Sequence, residues 1–434
     1  MKKLLIITYY WPPSGGAGVQ RWLKFVKYIR NFGWEPVIYT PLNPELPETD
    51  ETLLNDVPEG IEIIKTPIWE PYSAYKKFIG RSKDEKISTG FLSEKKKPGL
   101  TEKISVWVRG NFFIPDARKF WIKPSVKFLT KYLKDHPIDA IATTGPPHSC
   151  HLIGLVVKKH TDIPWIADFR DPWTFIDFYH DLKLTRWADN KHKRLEKKVL
   201  ELADRVIMIS DSQASLFHNI LPRNYNIITN GFDQEDYELT EIPLPDEKFS
   251  IAHIGSLVPA RNPRVLWEVL GELSRNSPEF ATDLEIKLVG KTDFSVIEDL
   301  KKEGLIHNVN KIDYLPHDDV VKIQFQSRIL LLLINNTQNA AAILTGKFFE
   351  YLAVQRPILC IGPVTGDAAK ILKETNSGVT AGYEDYFSMK NYILDFYGKY
   401  KNNQLSIHSD NFEKYSRKNL TKKLIEILNQ LITE

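Results

Sequence analysis

The feature that most constrains this chain is a rhythm. Short apolar runs alternate with segments of helical period from one end to the other. Such runs suit strands buried on both faces, and the long connections between them suit parallel pairing through crossover helices. In the first half the expected strands are Lys3–Thr8, Pro36–Thr40, Ile61–Thr66, Ile138–Thr143, Trp165–Asp168, Arg205–Ile209 and Asn226–Thr229. Between the first two, Val19, Trp22, Leu23, Val26 and Ile29 recur at the spacing of one apolar helix stripe. The second half yields Ser250–Ile254, Glu285–Val289, Lys311–Leu315, Arg328–Ile334 and Pro357–Ile361. The pattern is that of an α/β protein built on parallel sheets.

At 434 residues the chain is too long for one ordinary core and suits two. The divide is expected after Asn230-Gly231-Phe232-Asp233, where the acidic, Pro-containing stretch Gln234–Lys248 reads as a linker. The expected domains are therefore 1–230 and 231–411. Phe412–Leu431 reads as an amphipathic helix following the second sheet.

Composition excludes several classes. With 42% hydrophobic, 12% aromatic and 26% charged residues, the chain can fill and cover two cores, so it is neither disordered nor collagen-like. Fifty-eight Lys+Arg against 55 Asp+Glu is too even to mark a nucleic-acid binder. Two cysteines, Cys150 and Cys360, lack any zinc or redox spacing and suggest a cytoplasmic setting. The apolar run after Met1-Lys2-Lys3 ends at Ile7, short of a signal peptide. The longest apolar run, Ile329–Ile334, is far short of the ~20 residues that span a bilayer. One region breaks the rhythm. Lys76–Lys134 holds 16 Lys/Arg against 5 Asp/Glu, with Phe78, Phe91, Trp107, Phe112, Phe113, Phe120 and Trp121 interleaved. It reads either as a surface for an anionic membrane or phosphate-bearing partner, or as an insertion with solvated lysines and core aromatics. Lys95-Lys96-Lys97 reads as a loop tip.

Five places could carry chemistry. The loop Tyr10–Gly18 offers Gly15, Gly16 and Gly18 at a strand-to-helix turn, where backbone can approach an anion. The dinucleotide fingerprint fails there, because its third glycine is Arg21 and the second strand ends Tyr39-Thr40-Pro41 without an acid. An NAD-dependent oxidoreductase is disfavoured accordingly. Gly145-Pro146-Pro147-His148 opens a helix, so His148 is placed to meet a sugar hydroxyl or a phosphate, while His151 suits a structural role. Asp168, Arg170 and Asp171 stand at a strand end, where they could form a self-contained ion cluster or serve as ligand groups. The strand-end position favours function, and Asp168 and Arg170 join His148 as the expected catalytic residues. Gly255-Ser256 leads to Arg261, expected beside a helix N-terminus and suited to a diphosphate. Thr345-Gly346-Lys347 opens a further helix, with Glu350 one turn on and able to accept from a ribose diol.

Together these residues resemble a family 4 glycosyltransferase of the GT-B fold. The resemblance rests on the Tyr10–Gly18 loop, the Gly145–His148 turn, Asp168–Trp173, Thr229–Asp233, Gly255 with Arg261, and above all Gly346–Tyr351 followed by Leu352-Ala353 and Arg356-Pro357. It implies two Rossmann-like domains facing across a cleft, with the last helix, 412–434, returning to the first domain. It further implies a retaining transfer of a hexose-like unit from a UDP- or GDP-linked sugar to a glycan or lipid-linked acceptor. Arg261 and Lys347 would hold the diphosphate, Glu350 the ribose, Gly16 would admit the donor, and His148 would face the transferred sugar. No Asp-x-Asp occurs, so no metal or other cofactor is expected. Similar enzymes build cell-surface polysaccharides, which would place this one in the cytoplasm or peripherally on the inner membrane face. The first Glu of the family's E-x7-E motif is Ala342 here, which favours a second reading, a sugar-nucleotide-binding protein without transferase activity.

Overall fold

The computed structural model describes residues 1–46, 49–70, 100–177, 179–313 and 315–433. Residues 76–99 of the basic region, with the Lys95-Lys96-Lys97 tip, lie outside them. The chain forms two compact units, Met1–Thr229 with Arg417–Glu434, and Asn230–Ser416.

The N-terminal unit is a parallel sheet of β1 (Lys2–Ile7), β2 (Trp34–Pro41), β3 (Glu62–Thr66), β4 (Ala140–Gly145), β5 (Trp165–Phe169), β6 (Arg205–Met208) and β7 (Asn226–Ile227). Their order is β3-β2-β1-β4-β5-β6-β7. The helices are α1 (Ala17–Ile29), α2 (Leu100–Phe112), α3 (Lys119–Asp135), α4 (Ser149–Thr161), α5 (Arg186–Leu202) and α6 (Asp211–His218). In register, Leu5 lies beside Val37 and Ile141. Because side chains alternate along a strand, Leu5 and Ile7 enter one core and Leu4 and Ile6 the other. The whole expected stripe of α1, from Val19 to Ile29, is buried in the second of these.

The C-terminal unit repeats the plan with β8 (Phe249–Ile254), β9 (Leu284–Val289), β10 (Val309–Ile312), β11 (Ile329–Leu333), β12 (Ile358–Ile361) and β13 (Gly378–Ala381). These run in the order β10-β9-β8-β11-β12-β13. Its helices are α7 (Arg264–Asn276), α8 (Pro278–Asp283), α9 (Phe294–Lys302), α10 (His317–Gln326), α11 (Gly346–Val354), α12 (Asp367–Glu374) and α13 (Tyr386–Lys401). Every expected strand overlaps an observed one. The edge strand β13 was not foreseen, since Gly378 and Thr380 dilute its apolar signal.

Two details differ from expectation: the stretch read as a linker packs within the C-terminal unit, and the last helix starts later. Gln234–Lys248 belongs to the C-terminal unit, because Phe232 is buried there, stacks on Phe412 at 5.8 Å, and donates its N–H to Tyr415 O. Phe412–Tyr415 is a separate 3-10 turn of that unit, and the last helix, α14, spans Arg417–Leu431. In the N-terminal unit, Leu420, Leu424, Ile427 and Leu428 of α14 join Val19, Trp22 and Val26 of α1 in one core.

Sheet order reverses between β1 and β4 in one unit and between β8 and β11 in the other. At such a switch point the connections leave in opposite directions, and a crevice opens beyond the strand ends. The candidate residues cluster there.

Candidate functional site

In the N-terminal unit, the loop after β1 turns into α1 through Gly16, whose φ of 88° is a left-handed value that a side chain would strain. Gly15 is buried and Gly16 exposed. Arg21, the residue that spoils the dinucleotide fingerprint, is only 1% exposed. Its Nη2 and Nε donate to the Asp168 carboxylate, at 2.9 Å from Oδ1 and 3.1 Å from Oδ2, while its remaining donors reach Thr229 O and Ile228 O. Trp22 Nε1 and Thr144 Oγ1 add donors to Asp168 Oδ2 at 2.7 and 3.2 Å. Burial alone would raise the Asp168 pKa, but the Arg21 guanidinium and these donors hold it below the ordinary carboxylate value. Asp168 is thus fully buried and saturated. It pins α1 and β7 to the sheet. The ion-cluster reading of this strand end describes it, with Arg21 rather than Arg170 as the direct partner.

Arg170 turns its guanidinium back. Its two terminal nitrogens donate to Gly18 O and Pro146 O, and its backbone N–H donates to Gly145 O at 3.1 Å. One side chain therefore ties the glycine loop after β1 to the turn after β4. That geometry makes Arg170 a positioning residue for both loops.

His148 precedes α4 but does not cap it. Asp116 does so instead, accepting from Ser149 N at 2.9 Å and Ser149 Oγ at 2.7 Å. The imidazole is left for other work. It stacks on Trp173 with ring centroids 4.6 Å apart and planes within 1°. Trp173 is fixed in turn by donating to His192 Nδ1 at 2.9 Å. Burial, reinforced by His151, holds the His148 pKa well below the usual histidine range, so the ring is neutral at neutral pH. His151 donates to or accepts from Thr143 Oγ1 at 2.8 Å, and burial lowers it to about 3. The structural role expected of His151 fits this placement. Among the described residues no group of three metal-ligating side chains forms.

His148 and Trp173 line a cavity of about 210 Å³, with Tyr10, Phe113, Arg118 and Tyr179 among its other walls. Trp173 closes the Asp168–Trp173 segment singled out in the sequence, but His192 and Asp116, from distant segments, were missed. The aromatics of the basic region also hinted at the cavity.

In the C-terminal unit, β8 is followed directly by Gly255, whose φ is 111°. A β-carbon there would collide with Lys347 Nζ. The lysine could swing away, but no other residue adopts this backbone without strain. Lys347, in the first turn of α11, thus lays its ammonium on bare backbone at the switch point. No carboxylate of the described residues lies within ion-pair distance of it. Burial and the nearby Arg261 lower its pKa to about 8, despite the pull of Glu350. Beneath it His253, missed in the sequence, is buried, donates from Nδ1 to Leu331 O at 3.1 Å, and is lowered to about 3 by burial and Lys347.

The other expected residues surround this cation. Ser256 is exposed beside Gly255. Arg261 lies just before a helix N-terminus, as its sequence position suggested. It ends a 3-10 turn, Pro259–Arg261, and α7 starts three residues later, because Asn262 is held by Trp267 and Asp299. Its Nε donates to Asn335 Oδ1, just beyond the end of β11. Thr345 precedes α11 without capping it, and its Oγ1 is buried with no partner. Glu350 accepts from Gln324 Nε2 at 3.3 Å through one oxygen only. Gly346 opens α11, whose first-turn N–H groups and dipole add to the positive end. Ala342 is buried on a 3-10 turn, Ala340–Ala342.

Comparison with known proteins fits this arrangement. Residues 90–236 match the sequence profile of Glycosyltransferase Family 4. That segment, about a third of the chain, is similar to this family. A search of curated proteins found no match. A glycosyltransferase from Rickettsia africae superposes with a TM-score of 0.61 at 13% identity, covering 100% of this chain and 99% of the other. Anabaena Alr3699/HepE, in complex with UDP-glucose, gives 0.56 at 12% over 100% and 98%. WaaG, a glycosyltransferase involved in lipopolysaccharide biosynthesis, gives 0.53 at 13% over 98% and 95%. These solved structures share the two-sheet α/β GT-B fold. Among the described residues no helix of this chain is long and apolar enough to cross a membrane.

Proposed function

We propose that this chain transfers a hexose-like unit from a nucleotide sugar to an acceptor hydroxyl, with retention at the anomeric carbon. One observation carries the reading: Lys347 Nζ lies on the Gly255 backbone with its pKa lowered and no carboxylate paired to it. A half-buried cation without a carboxylate partner carries a desolvation cost, and a bound anion offsets it. Arg261, the start of α11 and the unpartnered Thr345 Oγ1 supply further donors for a diphosphate. Glu350 keeps a carboxylate oxygen for a ribose hydroxyl. As the sugar–phosphate bond breaks, charge grows on the leaving diphosphate, and preorganised cations stabilise it most at that moment. Arg261 and Lys347 do this without a divalent ion in our proposal, and the leaving phosphate takes the acceptor proton.

The N-terminal unit serves the acceptor side. His148, neutral and steadied by Trp173, offers an imidazole to a sugar hydroxyl, while Arg170 and the Arg21–Asp168 pair hold the surrounding loops. The aromatic walls beside His148 suit a glycan ring or the start of a lipid-linked acceptor. The UDP-glucose complex of HepE and the role of WaaG in lipopolysaccharide biosynthesis support starting with UDP sugars and cell-surface glycans. Ala342, in place of a sugar-contacting acid, supports the second reading of donor binding without transfer.

The test is a melting-point screen with UDP, GDP and their sugars in chelator, followed by product analysis by NMR. A ligand that binds only the folded state raises the melting temperature. We expect one nucleotide to do so in wild type but not in Lys347→Ala, and the product to keep the donor's anomeric configuration. Equal shifts in both proteins would refute the site.

A further inference from the structure

Helix α3 is amphipathic in an unusual sense. Trp121, Ser125 and Leu129 are buried on its inner side, with Trp121 stacked on Tyr39 at 5.2 Å. Its outer side repeats a cation every four residues, Lys119, Lys123, Lys127 and Lys131, one slowly winding stripe. None of the four pairs with a carboxylate of the described residues. Beside them Phe120 and Phe128 remain 40% and 39% exposed.

The stripe runs into a second cluster at the start of α3. Lys119 Nζ sits 5.1 and 5.0 Å over the rings of Phe113 and Phe120, and Phe120 meets the exposed Trp69 edge-on at 4.7 Å. On α5, Lys191 lies 4.8 Å over Trp187, itself 62% exposed. Lys119 is held below the ordinary lysine value by partial burial and by Lys191. Like charges are thus gathered, not dispersed. Phe113 also lines the His148 cavity, so the cluster borders the acceptor side.

We propose that the outer face of α3, with the Trp69–Phe120 and Trp187–Lys191 clusters, docks on an anionic lipid bilayer. The charge pattern names the occupant. Unpaired lysines seek phosphate headgroups, while exposed Phe and Trp rings between them fit the interfacial layer, which a nucleic-acid backbone does not offer. The helix lies in the plane of the surface, with its buried side on the protein. The inference goes beyond the transferase reading and does not need it.

The test is co-sedimentation of the full chain with vesicles of mixed phosphatidylglycerol and phosphatidylcholine, and with phosphatidylcholine alone. We expect salt-sensitive binding to the mixed vesicles only. The triple variant K123E/K127E/K131E should bind them at least about tenfold more weakly. The control K418E/K422E/K423E, an equally exposed set on α14, should bind as wild type. Melting curves confirm folding of both, since all six side chains are exposed. F120S/F128S should lower the binding that remains at high salt, which a purely ionic patch would not show. Absence of wild-type binding, equal loss in the α14 control, or binding to heparin but not to vesicles would each overturn the assignment. Donor binding, measured separately without lipid, would stand in any of these cases.

Discussion

At the end of β5, Asp168 meets Arg21, Trp22 and Thr144; at the end of β8, Lys347 meets a glycine backbone and no carboxylate. Both are charges at the carboxyl edge of a parallel sheet, Asp168 fully buried and Lys347 half-buried. In the first, every polar atom has a partner and the charge is spent on architecture. In the second, the cation is uncompensated and beside it the Thr345 hydroxyl lacks a partner. The contrast teaches how to tell a structural ion from a functional one: position at a strand end is shared, and only satisfaction differs.

The sharpest way to break the comparison is to remove each charge. Asp168→Ala leaves Arg21 buried and unpaired, and should cost about 3–5 kcal/mol in urea unfolding. A cost near zero would put Asp168 with the functional ions. Lys347→Ala should do the reverse, lowering turnover about 10²- to 10³-fold while leaving stability equal or higher. Lost stability there would make Lys347 structural.

Proton linkage gives a smaller effect. Lys347 titrates at about 8 in the free unit, and a diphosphate would raise that value. Binding above pH 8 must therefore take up a proton, so donor affinity should be flat from pH 7 to 8 and then fall up to about tenfold per unit. Calorimetry across this range checks it, and a flat profile would exclude Lys347 as the anion's partner. The smallest change is Thr345→Val. It should weaken the nucleotide by about 0.5–1.5 kcal/mol, one hydrogen bond, without loss of fold stability, because no existing bond is broken.

Much of the fold was legible because twice-buried parallel strands announce themselves as apolar runs; β13 escaped because an edge strand can afford Gly378 and Thr380. The C-terminal site was legible too, since Gly346, Lys347 and Glu350 are close in sequence and share one helix. The N-terminal site was harder. Arg21 and Asp168 are 147 positions apart, so Arg21 appeared only as a flaw in a glycine motif rather than as the direct partner of the Asp168 carboxylate. His253 gave no signal at all, because a histidine inside an apolar strand reads as ordinary core.

The most direct test is calorimetric titration of UDP and GDP, in chelator at pH 7.5, into wild type and Lys347→Ala. The account predicts that one nucleotide binds wild type and that the variant loses most of that affinity while melting no lower. Unchanged affinity in the variant, or no binding of either nucleotide to wild type, would contradict it.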